Sequence, residues 1–296
     1  GCAGEIEESA SVEDAIVNVP HTTVERQTIG NCWLYAHGSW AESMYLTATG
    51  RTFDISQSYW TYWHWLDKVA AGEGNLSDDD VAGSWETANG IIRKYGLIDE
   101  KTFIAADGRG ETSERQKTAL AAINDSLATG ALRTAAARRD RRLVRAEMDR
   151  VWGLGAPQRA MLDRVFGADA RRNFTSGADN GGTSILRAEQ FPAAYHVAPG
   201  RPVQTALSQA MQDWQKVSYT GAAIIPRVQR ALHDENPVYL TWLVDFNALE
   251  ASGPRRGSFT MDAWRANGPG RQGIHMTLID DYQAQLADGS VLPVGR

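Results

Sequence analysis

The sequence predicts an α+β fold of two lobes, a helical one followed by an antiparallel β lobe. Segments with helical spacing run from residue 31 to about 167, whereas VYLTWLVDF (238–246) and HMTLIDDY (275–282) are β-rich, and a Gly/Pro/Arg-rich connection separates them. The 296 residues are enough for two lobes with a sizeable core. Cys2 and Cys32 are the only cysteines, so packing and not a disulfide framework must hold the fold.

Residues 1–20 read as a flexible acidic lead-in. From Asn31 a helical period begins, with Leu34, Gly38, Ala41 and Tyr45 on one face and Trp33, Ala36 and Trp40 beside it; Gly50 and Arg51 end it. The stretch 53–68, FDISQSYWTYWHWLDK, predicts a second helix with Ser56 able to cap it. After a polar loop at 72–80, a third helix is expected over 85–95, stopped by Gly96. Residues 112–167 form a helical, Ala- and Arg-rich block, and 173–184 a loop. The helical lobe is therefore taken as 21–215, including the insertion 112–167, and the β lobe as 216–296.

Composition removes several function classes. A formal net charge of −6 gives no reason to expect nucleic acid as a partner. Between 131 and 150 seven Arg stand against three acidic residues, which would suit a polyanion. Val144, Met148, Val151 and Trp152 at helical spacing instead favour an Arg-covered solvated face. No apolar run reaches the roughly 18 residues of a membrane helix. The opening GCAGEIEES resembles the junction of a bacterial lipoprotein signal, which implies export with a lipid on Cys2; a polar tail on a cytoplasmic protein is the alternative. There is no G-x-S-x-G, P-loop, H-E-x-x-H or paired C-x-x-C, so no metal or organic cofactor is expected.

The strongest local signal is QTIGNCWLYA, 27–36. Cys32 follows Gly30-Asn31 where a long helix begins, and a helix N-terminus favours a thiolate through its amides and partial positive charge. Trp33 would shield one side of the thiol. A buried structural cysteine is the alternative reading. His37 is five positions along the same helix, roughly 140° around, and points away from the thiol. His64 lies in an aromatic helix as core or cleft lining. His21, His196 and His233 sit in loop-like, exposed contexts.

Gln followed by Gly-x-Cys-Trp at a helix start resembles the papain-like cysteine peptidases, and GNCWLYA is most similar to their bleomycin hydrolase branch. FDISQSYWTYWHWLDK, GSWETANGIIRKYGLI (83–98), IPRVQRALHDENPVYLTWLVDF and GIHMTLIDDYQ also resemble segments of that branch, in order, and 112–167 its helical insertion. The resemblance implies Cys32 as nucleophile, His275 as acid/base and Gln27 as an oxyanion-hole side chain, acting on a peptide or protein substrate. Two departures stand out. Gln27 lies five residues before Cys32 where the family has six, and the orienting Asn that should follow His275 is missing. Asp280 points to the opposite face of the strand, and Asp281 lies on the order of 20 Å away at about 3.3 Å per residue. The orienting Asn is therefore expected on a companion C-terminal fragment produced by cleavage at Arg296. The alternative is a catalytically inactive relative that uses its cleft to bind peptides or a protein partner.

Overall fold

The computed structural model describes residues 17–23, 25, 27, 29–77, 81–107, 113–197, 202–214, 218, 221–250, 252–255 and 257–282. Cys2 and Arg296, and with them the lipid and cleavage expectations, lie outside the described residues. Helices and small antiparallel sheets are both present, which makes the fold α+β. No described helix is long and apolar enough to cross a membrane.

The chain divides into two compact units. One comprises Glu25–Gly38 and Asp54–Phe191; the other takes Ser39–Phe53 and Pro192–Arg296 together with Cys2–Val24, so far as these are described. The last division between the two units comes between Phe191 and Pro192, whereas the sequence places its lobe boundary at 215/216.

In the first unit the sequence signals act locally as expected. Helix α1 (Cys32–Thr49), whose residues through Gly38 belong to this unit and the rest to the other, begins directly after Asn31 and ends before Gly50. Helix α2 (Gln57–Ala71) starts directly after Ser56, which takes the cap as expected and accepts from the Tyr59 amide at 3.1 Å, while Ile55 before it bridges to Asp99. Its five large aromatics, Tyr59, Trp60, Tyr62, Trp63 and Trp65, have no solvent exposure, so α2 is the unit's buried centre. Three of their polar ends find partners at a distance: Tyr59 Oη donates to the Tyr95 carbonyl (2.6 Å), Trp60 Nε1 to that of Gly96 (2.9 Å) and Tyr62 Oη to Asp149 Oδ1 (2.8 Å).

Helix α3 (Trp85–Tyr95) is capped by Ser84 and stops at Gly96. Gly96 has φ +72°, and a Cβ there would lie 2.2 Å from the Leu186 carbonyl oxygen. Only glycine permits the paired Leu97–Leu186 backbone bonds that follow. A short helix, α4 (Glu100–Phe103), comes next. The Ala- and Arg-rich block forms α5 (Ser113–Ala128), α6 (Ala135–Arg139), α7 (Arg141–Val151) and α8 (Ala156–Phe166).

The solvated Arg face needs one correction. Val144, Met148 and Trp152 are buried as the stripe predicts, but so is Arg145, only 2% exposed. Its guanidinium meets Asp149 at 3.0 Å and Asp163 at 3.3 Å and lies over the rings of Tyr62 and Trp63. Arg145 follows Val144 directly, so it falls at the edge of the apolar face, where paired carboxylates and ring faces permit its burial.

In the second unit, strand β1 (Val17–Asn18) replaces the flexible lead-in at its end: it pairs with β6 (Asp281–Tyr282), and the Val19 amide donates to Asp280. Strands β2 (Pro192–His196) and β3 (Pro202–Ala206) form a hairpin that the sequence pattern did not announce, each being five residues long and β2 opening with a proline. Helices α9 (Leu207–Asp213), α10 (Ile225–His233) and α11 (Met261–Asn267) complete the unit.

Two predicted strands become β4 (Val238–Asp245) and β5 (Gln272–Ile279), antiparallel, with Trp242 opposite His275 and Leu243 opposite Ile274. Alternation puts Trp242 and His275 on one face and Leu243 and Ile274 on the other, where they are 80% and 63% exposed. The second run does not continue unbroken to Tyr282; it divides at Asp280.

Candidate active site

Cys32 is a buried thiol, 8% exposed, at the first position of the 18-residue α1. The turn before it is tight: the Asn31 amide donates to the Ile29 carbonyl (2.8 Å), and the Leu34 amide to Asn31 (2.9 Å). Gln27 joins this turn, because its Nε2 donates to the same Ile29 carbonyl at 2.6 Å. A carboxamide nitrogen carries two hydrogens, so this bond fixes the Gln27 side chain and leaves it a second donor. The local geometry thus ties Gln27 to the segment that delivers Cys32, despite the shortened spacing.

Trp33 is fully packed rather than standing over an open cleft. Its Nε1 donates to the Val81 carbonyl (3.1 Å), and its indole lies so close to Gly83 that a Cβ there would fall 2.5 Å from the ring. His64 is buried at the edge of that ring, with centroids 5.0 Å apart. His37 is also buried, 4.4 Å from the Trp85 ring and edge-on to Trp60. Burial pulls its pKa down to about 3, which keeps it neutral and gives it a packing role.

His275 belongs to the second unit, on β5. Its half-buried ring packs beside Trp242 (6.2 Å) and Phe246 (5.7 Å), and Phe259 packs against both of these. Burial lowers its pKa below the ordinary histidine value. The β4–β5 connection beneath it is fastened by Asp245, whose carboxylate accepts from the amides of Asn247 (3.0 Å), Gly270 (2.9 Å) and Arg271 (3.1 Å). Those backbone donors, led by Asn247, hold the Asp245 carboxyl below its usual range. Asp280 does not serve as orienter: its carboxylate faces His21 at 3.6 Å.

Of the other histidines, His21 and His233 are exposed as expected, although His233 ends helix α10 and hydrogen-bonds Tyr282 Oη at 2.7 Å. His196 is not a loop residue. It is buried at the end of β2, with Nε2 3.1 Å from Glu235, and the Asn236 side chain clasps its backbone from both sides. That clasp is made by a residue 40 positions away, so it leaves no local pattern in the sequence.

Sequence reasoning also missed a buried polar cluster beside the thiol. Asn31, Gln57, Ser58, Thr61 and Gln116 are each at most 1% exposed. The available signal was the presence of Gln57, Ser58 and Thr61 in a helix whose other side chains are almost all apolar or aromatic. Set against models of known protein families the chain matches none, and comparison with curated proteins returns no match.

Proposed function

We propose that the protein is a papain-like cysteine peptidase that hydrolyses peptide bonds. The observation that carries this reading is the Cys32 thiol at the first residue of α1, with the Gln27 carboxamide bonded into the turn just before it. In this reading the helix start favours the thiolate, and His275 accepts its proton. The lowered pKa of His275 leaves its imidazole neutral near pH 7, the form that can take a proton. Attack on the substrate carbonyl generates an oxyanion, which the remaining Gln27 N–H and the Cys32 amide stabilise. The His275 imidazolium then protonates the leaving amine, and water releases the acid from the acyl-enzyme.

The test is cleavage of a mixed peptide library by the full chain, with Cys2→Ser introduced so that Cys32 is the sole thiol. Cys32→Ala should abolish cleavage, and persistent cleavage sinks the reading. Reactive Cys32 with no cleavage of any peptide would favour the inactive, peptide-binding relative.

A further inference from the structure

A directed chain of hydrogen bonds runs from the helical insertion to the residue before Cys32. Arg115 Nε meets Asp107 Oδ1 at 2.6 Å, and Ser58 Oγ donates to Asp107 Oδ2 at 3.0 Å. Gln116 Nε2 donates to Ser58 Oγ (3.3 Å), and Asn31 Nδ2 donates to Gln116 Oε1 (2.8 Å). On its other side Asn31 Nδ2 donates to Thr61 Oγ1 (3.1 Å), which itself donates to the Gln57 carbonyl (2.8 Å).

Both ends of this chain dictate its direction. An ionised carboxylate and a backbone carbonyl can only accept, so the hydroxyls of Ser58 and Thr61 are committed outward. Ser58 Oγ must then accept from the Gln116 nitrogen, which turns the Gln116 oxygen toward Asn31. Thr61 Oγ1 must likewise accept from Asn31. Both neighbours demand the Asn31 nitrogen, and the Asn31 Oδ1 is left buried with no hydrogen-bond partner among the described residues.

Asn before a helix ordinarily uses that oxygen to accept from the second or third helical amide. Here the third amide, Leu34, bonds instead to the Asn31 main-chain carbonyl. A capping oxygen would set partial negative charge against the amides whose positive end favours a thiolate at Cys32. We propose that Gln116 is a positioning residue for Cys32: by gripping the Asn31 carboxamide it withholds the Asn31 side-chain oxygen from the start of α1 and keeps the thiol reactive. The insertion helix thereby tunes a residue 84 positions earlier in the chain through a link between residues 85 apart.

The inference rests on the reading of Cys32 as a reactive thiol but not on peptide cleavage. It is tested on the full chain with Cys2→Ser, by iodoacetamide labelling of Cys32 across pH with mass-spectrometric readout. Gln116→Met removes both hydrogen bonds at similar volume. Its labelling midpoint should rise by about half a pH unit, labelling below the midpoint should slow about threefold, and the high-pH plateau should be unchanged. In an Asn31→Ala background the same substitution should move nothing, because no carboxamide remains to be released. If Gln116→Met does not fold, Ser58→Ala, which cuts the link behind Gln116, must give a shift in the same direction.

An unmoved midpoint in a folded variant overturns the proposal. So does an equal shift in the Asn31→Ala background, or labelling that rises at every pH with the midpoint fixed, which would mean simple loosening. Cleavage of peptides is measured in parallel. A shift without cleavage retains this inference and removes the peptidase reading; cleavage without a shift does the reverse.

Discussion

Gly83→Ala should destabilise the first unit through Trp33. A methyl group at Gly83 would lie 2.5, 2.6 and 2.8 Å from three atoms of the Trp33 indole, where carbon atoms pack at about 3.5–4 Å. The ring must therefore retreat by roughly 1 Å. It is already fully buried, so the retreat overpacks its surroundings at about 1–3 kcal/mol. The same movement strains the Nε1 bond to Val81, and a buried indole N–H left unsatisfied costs a further ~1–3 kcal/mol. Together these give about 2–6 kcal/mol, or a fall in Tm of roughly 4–24 °C for a unit of this size. Urea and thermal unfolding followed by tryptophan fluorescence measure it. Because Trp33 is the next residue, labelling of Cys32 should also accelerate. Gly90→Ala is the control: nothing lies within 4 Å of the added methyl, and a helical Gly→Ala change should stabilise by about 0.5–1 kcal/mol. Gly83→Ala with unchanged stability would refute the close packing of Trp33 beside Cys32.

Arg145→Met should cost about 3–5 kcal/mol in urea unfolding, because it leaves Asp149 and Asp163 without their guanidinium partner; a loss below 1 kcal/mol would return Arg145 to the solvated face. His37 gives a pH signature. Its folded pKa of about 3 lies below the unfolded value of about 6.5, so its contribution is complete above pH 6.5 and is lost as the pH falls toward 3. Between pH 7 and pH 5 this alone removes about 2 kcal/mol of stability, and His37→Leu should flatten that part of the urea stability profile. The labelling midpoint of Gln116→Met and the loss of cleavage in Cys32→Ala complete the set.

What the sequence determined by itself was encoded within a few residues. Ser56 and Ser84 cap helices because their hydroxyls reach amides three positions on, and Gly96 stops a helix because it alone tolerates φ +72°. Hydrophobic period 3.6 placed Val144, Met148 and Trp152 in the core, and period 2 set the β4 and β5 faces. Cys32 at a helix start followed from the same local logic. Only the tertiary structure decided what depends on closing long loops. Asn31 meets Gln116 across 85 positions, and Tyr62 meets Asp149 across 87. Arg145 is buried because carboxylates on two helices and two aromatic rings converge on it. His196 lies at the end of a short hairpin strand where Asn236, 40 residues later, hydrogen-bonds both its amide and its carbonyl. Local patterns fix where elements begin, end and turn their apolar faces. Which polar atoms meet inside is set by the packing of elements whose separation along the chain leaves no periodic trace.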